Sequence, residues 1–152
     1  MKSIANYINE ALKLGNKSRY KYHPETKEEL QDLLNQLLEE RGNEGDFNDI
    51  DTSKITDMSD LFYDLTDFNG NISQWDVSNV TNMSSMFYKC KSFNKDISNW
   101  DVSNVTNMYS MFRVCRSFNQ DISSWDVSKV MFKHSNVFNN CIIKEKYKPK
   151  FK

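Results

Sequence analysis

The sequence predicts an α/β fold, a right-handed solenoid of short strand–turn–helix coils with an N-terminal α-helical cap. Residues 75–87, WDVSNVTNMSSMF, return with one letter changed at residues 100–112, twenty-five positions later. The same apolar residue types recur from copy to copy, and a leucine-rich amphipathic stretch precedes the copies. Self-similarity at a fixed period of about 20 to 50 residues is typical of chains whose copies pack against one another.

The copies begin at Phe-Asn pairs and occupy residues 68–92, 93–117 and 118–142. The first two agree at eighteen of twenty-five positions, whereas the third loses the pattern after Val130. A weaker copy lies upstream, around residues 47–62. The sequence therefore predicts about three and a half coils, above the three that such packing needs.

Within each copy, the spacing of apolar residues suggests two elements. Trp75 and Val77 flank Asp76 with the period of a strand, and residues 84–90, SSMFYKC, place apolar side chains at helical spacing. Each coil would then be a short strand, a turn and a short helix that returns the chain to its starting point. The recurring tryptophans share a face with valines, which favours a place in the core over a ligand platform.

The ends of the chain differ from the copies. Residues 26–42 place leucines on one helical face, begin with Thr26 as an N-cap and end at Gly42. We therefore divide the chain into a helical cap (1–42), a solenoid (43–142) and a basic C-terminal tail or edge strand (143–152).

The copies also resemble a known family. VTNMSSMFYKCKSF at residues 80–93 resembles the repeat of BspA-like leucine-rich repeat surface proteins. The longer pattern FNxDISxWDVSNVTNMSxMFxxC is similar to the 25–26-residue repeat of bacterial surface lipoproteins of unknown function. The resemblance covers about residues 43–141 and implies a leucine-rich-repeat-like solenoid with a binding role, in a family whose members are often exported and anchored.

Composition and charge exclude several function classes. The net charge of -1 gives no global field that attracts nucleic acid, so nucleic acid is not an expected partner. No secretory signal is visible, and no apolar run approaches the length of a membrane span. The sequence as written predicts a cytoplasmic protein, and a surface location stays open if export elements are missing from it.

No catalytic motif is visible in the sequence. It contains no P-loop, no nucleophile elbow and no glycine-rich phosphate cradle. We therefore expect no enzymatic activity, no cofactor, no metal and no small-molecule substrate. The regularly spaced Cys90, Cys115 and Cys141 favour a buried ladder over a metal or redox site, and a disulfide between neighbours stays open if the chain meets an oxidant.

Two sets of residues are candidates for binding a partner. Asp76, Asp101 and Asp126 recur in "DVS", which favours local Asx turns and also an acidic stripe facing a basic partner. Positions that vary between matching copies are expected to be exposed, and four of them carry residue types enriched at protein interfaces: Tyr88, Tyr109, Arg113 and Arg116.

These features favour a non-catalytic module that binds another, unidentified protein through an exposed solenoid face. One alternative is a structural or surface component of a larger assembly, such as an adhesin. A second alternative is an inhibitor whose acidic face mimics nucleic acid. The sequence predicts no oligomeric state.

Overall fold

The computed structural model describes residues 2–13, 19–131 and 136–151. Within these ranges lie two α-helices, α1 (Ile4–Lys13) and α2 (Lys27–Arg41), and a 3₁₀ turn at Glu145–Tyr147. The described residues between α2 and that turn form turns and bends without a named strand. Among the described residues, four isolated parallel bridges link distant positions: Tyr22 with Ile50, Asp46 with Asn71, Asp57 with Asn82, and Asn82 with Asn107.

The predicted α/β leucine-rich-repeat-like solenoid of strand–turn–helix coils is therefore wrong. Residues 75–77 form no strand, and residues 84–90 form turns where a helix was expected. Ser85 and Lys89 have φ angles of 55° and 60°, which a right-handed helix excludes. A segment of about seven residues is also far shorter than the 12–15 at which isolated helices become even marginally stable.

The backbone N–H groups of these turns form hydrogen bonds of two alternating kinds. Some N–H groups donate to the carbonyl three residues earlier, as Met86 does to Met83 at 3.3 Å and Cys90 does to Phe87 at 3.0 Å. The N–H groups between them donate to the next copy. These bonds run from Ser85 to Tyr109, from Phe87 to Met111 and from Lys89 to Arg113, at 2.8, 3.0 and 2.9 Å. Equivalent segments of successive copies therefore lie directly against each other.

Columns of aromatic rings run through the core between successive copies. The rings of Phe62, Phe87, Phe112 and Phe138 stack with centroids 5.5, 5.5 and 5.6 Å apart, and we call this set the Phe column. The indole Nε1 groups of Trp75, Trp100 and Trp125 donate to backbone carbonyls of the preceding copy at 2.9, 3.2 and 3.2 Å. All three tryptophans are at most 5% exposed, which confirms the prediction that they belong to the core.

Helix α2 forms as the sequence predicted. The Thr26 hydroxyl accepts a hydrogen bond from the Glu29 N–H at 3.2 Å, and the Gly42 N–H donates to the Leu38 carbonyl at 2.9 Å. Four leucines of one face are fully buried, namely Leu30, Leu33, Leu34 and Leu37. They belong to the same hydrophobic cluster as the aromatic residues of the copies, so the helix and the copies share one core.

The C-terminal segment packs against the last copy. The Lys144 N–H donates to Asn119 Oδ1 at 3.0 Å, and the Ile122 N–H donates to the Tyr147 carbonyl at 3.0 Å. This segment was expected to be a basic tail or an edge strand, and the described residues 143–151 hold a 3₁₀ turn and no strand. No helix in the described ranges has the length and apolar character needed to cross a bilayer.

Candidate interaction surface

The recurring aspartates form Asx turns, as the sequence predicted. Asp76, Asp101 and Asp126 each accept a hydrogen bond at Oδ1 from the backbone N–H two residues later, at 3.0, 3.1 and 3.0 Å. Asp51 makes the same bond to Ser53 at 3.1 Å. Asp101 and Asp126 are exposed, whereas Asp76 is half-buried. The acidic stripe therefore has a structural role in every copy, and its two last members also face solvent.

Further Asx turns were missed by the sequence interpretation. Asp96 and Asp121 accept hydrogen bonds at Oδ1 from the backbone N–H groups of Ser98 and Ser123, at 2.9 and 3.1 Å. Asn71 makes the equivalent turn with Ser73 at 3.3 Å. The signal was present as an Asp or Asn two residues before a serine. Together with Asp101 and Asp126, Asp96 and Asp121 give the last two full copies two exposed carboxylates each.

The serines keep these carboxylates ionised. The Ser103 hydroxyl and then its N–H lower the pKa of Asp101 below its usual range. The N–H of Ser98, followed by its hydroxyl, does the same for the pKa of Asp96. Hydrogen bonds to the charged form of a carboxyl favour ionisation. These two carboxylates therefore remain ionised to a lower pH than a free aspartate does.

Aromatic and cationic side chains of successive copies meet on the other candidate surface. The ring of Tyr63 stacks on that of Tyr88 with centroids 4.8 Å apart, and the Arg113 guanidinium lies 5.8 Å from the Tyr88 ring. We call Tyr63, Tyr88, Tyr109, Arg113 and Arg116 the turn surface. Tyr63 had no place in the sequence interpretation, although it occupies the same copy position as Tyr88 and Arg113. Tyr63, Tyr109 and Arg116 are exposed.

The expectation that every variable position is exposed is wrong. Tyr88 and Arg113 are half-buried, and the Arg113 Nε is shielded from solvent without a hydrogen-bond partner in the described part of the chain. Gly70 is buried beside the Phe47 ring, and a Cβ at that position would lie only 2.4 Å from Cε2 of Phe47. Variation between copies therefore marks both exposed positions and positions where the neighbouring side chain changes size.

Tyr109 borders a small cavity of about 300 Å³. Asp60, Ser84, Ser85 and Asn107 line the rest of it. Asn107 Oδ1 accepts a hydrogen bond from the Tyr109 N–H at 3.0 Å and so fixes the backbone there. Of the five residues that line the cavity, the sequence interpretation identified Tyr109 alone as a candidate.

The cysteines are free thiols within the core. The thiols of Cys90 and Cys115 are fully buried and donate to the carbonyls of Phe62 and Phe87 at 2.9 and 2.8 Å. Cys141 is half-buried. Burial raises the pKa of Cys90 to about 12 and raises the pKa values of Cys115 and Cys141 above the ordinary range. The predicted buried ladder is confirmed for Cys90 and Cys115 and only partly formed at Cys141.

One imidazole meets a carboxylate. His23 Nδ1 lies 3.1 Å from Asp51 Oδ2, a pairing that the sequence interpretation did not foresee. The other ring nitrogen, Nε2, is shielded from solvent without a partner among the described residues, so it is closed to a substrate. In the described ranges no three His, Cys, Asp or Glu side chains converge as metal ligands would. His134 lies outside the described residues.

Comparison with known proteins identifies a family. No curated protein and no solved structure shows a significant match to the chain. A family model described as "Mycoplasma protein of unknown function, DUF285" matches residues 31–149. The match runs from within α2 to the C-terminal segment and so includes all the copies. Since it spans well over half of the 152 residues, the chain belongs to this family.

Proposed function

We propose that the chain is a non-catalytic protein–protein interaction module that binds its partner through the turn surface. The exposed aromatic residues of that surface carry the proposal. Tyr63 and Tyr109 are 47% and 43% exposed, although most large apolar side chains of the described copies are buried. Exposed tyrosine and arginine are the side chains that most often dominate binding energy at protein interfaces.

The ordered backbone and ring stacking that position these side chains support the same function. Tyr63 is stacked on Tyr88, and the segment that carries Tyr88 is hydrogen-bonded to the next copy through the N–H groups of Ser85, Phe87 and Lys89. A side chain that is already ordered loses less conformational entropy when a partner binds. Tyrosine adds to this advantage because it has few rotatable bonds for its contact area.

The acidic side supports a second candidate function. Asp96, Asp101, Asp121 and Asp126 are exposed, and their Asx turns hold the carboxylates in fixed positions. Such an array would suit a basic partner, including one whose groove normally holds nucleic acid. Electrostatic complementarity of this kind acts mainly through association rate and salt dependence.

The resemblance to BspA-like surface proteins supports a third candidate, a surface or adhesin component of a larger assembly. The finer assignment to that family, and any location outside the cell, rest on the sequence motif alone. Protease treatment of intact cells tests it, because a surface-exposed chain would be degraded while cytoplasmic proteins survive.

Affinity capture with matched variants separates the first two candidates. The full chain would be immobilised as wild type, as Tyr63→Ala with Arg116→Glu, and as Asp101→Asn with Asp126→Asn. Proteins bound from an extract of the native organism would be identified by mass spectrometry. A partner lost only with the first variant supports the turn surface, and one lost only with the second supports the acidic side. A partner that both variants retain contradicts both proposals.

A further inference from the structure

The cavity beside Tyr109 is assembled from three successive copies. Asp60 comes from the first, Ser84 and Ser85 from the second, and Asn107 and Tyr109 from the third. The Asp60 N–H donates to the Ser84 carbonyl at 3.0 Å, and the Ser85 N–H donates to the Tyr109 carbonyl at 2.8 Å. Backbone hydrogen bonds therefore hold the two ends of the cavity to its floor, and the site exists before any ligand arrives.

The cavity depends on two departures from the pattern of the copies. The position of Tyr109 is occupied by Ser59 and Ser84 in the two preceding copies. The position of Asp60 is occupied by Ser85 and Ser110 in the two that follow. A large ring and a carboxylate therefore stand at opposite ends of two small serines, which leaves the open space of about 300 Å³ between them.

Three polar side chains of this cavity, those of Asp60, Ser84 and Ser85, have no partners within the described part of the chain. The Asp60 carboxylate makes no ion pair or hydrogen bond there, and the hydroxyls of Ser84 and Ser85 make none either. One lysine of α2 and one lysine of the copies are already paired with other aspartates. Lys27 lies 3.8 Å from Asp57, and Lys89 lies 3.7 Å from Asp64. Asp60 is thus left as a negative charge facing the cavity.

A carboxylate opposite an exposed aromatic ring is an arrangement that recognises a cation. The face of a tyrosine ring attracts an ammonium or guanidinium group, and a carboxylate forms a charge-assisted hydrogen bond with the same group. The serine hydroxyls can accept further N–H donors. A neutral ligand such as a sugar could donate hydrogen bonds to Asp60 but would leave its charge unneutralised, so the observations favour a cationic ligand.

We propose that the cavity between Asp60 and Tyr109 binds a lysine or arginine side chain of a partner protein. The inference rests on the proposed interaction function and adds the chemistry of the residue that the partner presents. Asp60 pairs with the cationic group, the Tyr109 ring covers it, and Ser84 and Ser85 hydrogen-bond to its N–H donors.

The test is a titration followed by NMR of the full chain. The probes are short glycine peptides with a single central lysine or arginine, and the matched control carries norleucine, which has a similar apolar stem and no charge. We expect lysine or arginine peptides to shift the signals of Ser84, Ser85 and Tyr109, with binding that weakens as salt is raised. Equal shifts with norleucine, or shifts with a neutral oligosaccharide alone, would overturn the proposal.

Two variants locate the binding. Tyr109→Ser restores the residue that the preceding copies carry at this position, and Asp60→Asn suits the positive φ of 58° at residue 60. Each should weaken binding of the lysine peptide by roughly 2- to 30-fold, the range expected for one cation–π contact or ion pair. Asn99→Ser, at an exposed position outside the cavity where the next copy carries Ser124, should leave the affinity unchanged. Unchanged affinity in both cavity variants would refute the site.

Failure of this inference is distinguishable from failure of the proposed function. If the affinity capture succeeds through Tyr63 and Arg116 but basic peptides ignore the cavity, the module binds its partner without a cation at this site. If the peptides bind and the cavity variants weaken that binding, the site stands whatever the captured proteins show.

Discussion

Helix α2 and the turn at residues 84–90 bury apolar side chains equally well, but their backbone N–H groups find their hydrogen-bond acceptors in different places. In α2, residues 27–41 place four leucines in the core and close both helix ends locally through Thr26 and Gly42. In the turn, Met86, Phe87 and Cys90 are just as buried, yet Ser85 and Lys89 donate to the following copy. The helix is specified by its own residues, whereas the turn depends on a neighbouring copy of itself.

The difference shows how little apolar spacing says about local backbone structure. Residues 86, 87 and 90 and residues 33, 34 and 37 have the same spacing. Only α2 has a capped start and enough length to propagate a helix. In the turn, a positive φ at Ser85 and Lys89 redirects alternate N–H groups towards the next copy.

The largest effect should come from breaking the contact between the two regions. Leu34→Asp with Leu37→Asp places two charges at fully buried positions without partners, which costs more than a domain of this size can tolerate. Because α2 shares one core with the copies, we expect the copies to unfold with the helix. Circular dichroism and Trp fluorescence should both report loss of structure.

The matched control for that prediction carries aspartate on the outer face of α2. Asn35→Asp with Glu39→Asp changes exposed positions and should keep a melting temperature close to that of the wild type. If the buried double variant melts like this control, the copies fold independently of the helix.

A smaller loss should follow from removing one indole within the copies. Trp100 is 4% exposed, stacks on Trp125 at 6.4 Å and donates to the Ile72 carbonyl at 3.2 Å. Trp100→Ala should therefore lower the free energy of unfolding by about 3–5 kcal/mol. Trp100→Phe retains a ring and loses the Nε1 donor, so its effect should be smaller. Urea denaturation of both variants measures the difference, and equal losses would show that the indole hydrogen bond dominates.

Acid should weaken the copies through their Asx turns. The pKa values of Asp96, Asp101 and Asp121 lie below their usual range, so folding favours the ionised form. This stability is present above the unfolded pKa of about 4 and is lost as the pH falls through the lower folded values. Each contribution is modest because these side chains are exposed to solvent.

Melting temperatures measured from about pH 6 down to about pH 3 would show this dependence. Asp96→Asn with Asp101→Asn keeps the side-chain oxygen that closes each Asx turn but removes the titrating group. The double variant should lose less stability than the wild type over this range. An identical pH dependence in the two proteins would place the acid sensitivity elsewhere.

The smallest effect concerns the chemical reactivity of the thiols. Burial raises the pKa values of Cys90 and Cys115, so neither supplies thiolate at neutral pH. Under native conditions Ellman's reagent should modify the half-buried Cys141 first and the other two only after unfolding. Cys141→Ser should remove the native reaction, and rapid labelling of that variant would contradict the buried ladder.

Much of the core could be predicted from the sequence, because burial follows residue type at recurring positions. Trp100, Cys90 and the α2 leucines were assigned correctly on that basis. The strand assigned to residues 75–77 failed because the alternation of Trp75, Asp76 and Val77 reflects an Asx turn after a buried residue. The helix predicted at residues 84–90 does not form, because several of its N–H groups find their acceptors in another copy. Local helix propensity does not report on such contacts between copies.

The candidate site was only partly accessible to sequence reasoning. Tyr88 and Arg113 occupy the same copy position, so their contact follows once copies are known to adjoin. The cavity beside Tyr109 was invisible because it arises from two small side chains, Ser84 and Ser85, between residues of different copies. A substitution of Tyr for Ser between matching copies was the available signal.

The close packing at Gly70 determines which copy can be deleted from the chain without disturbing the fold. Phe47 occupies the space beside Gly70, and removal of residues 68–92 would bring Lys95 to that place, where its Cβ would clash with the ring. Removal of residues 93–117 instead joins Ser92 to Phe118, repeats the natural Ser-Phe junction and leaves Gly70 in position. We expect the shorter chain made in this second way to fold and the first to be destabilised. A change in the number of copies that preserves the fold is therefore expected only on the C-terminal side of the copy that carries Gly70.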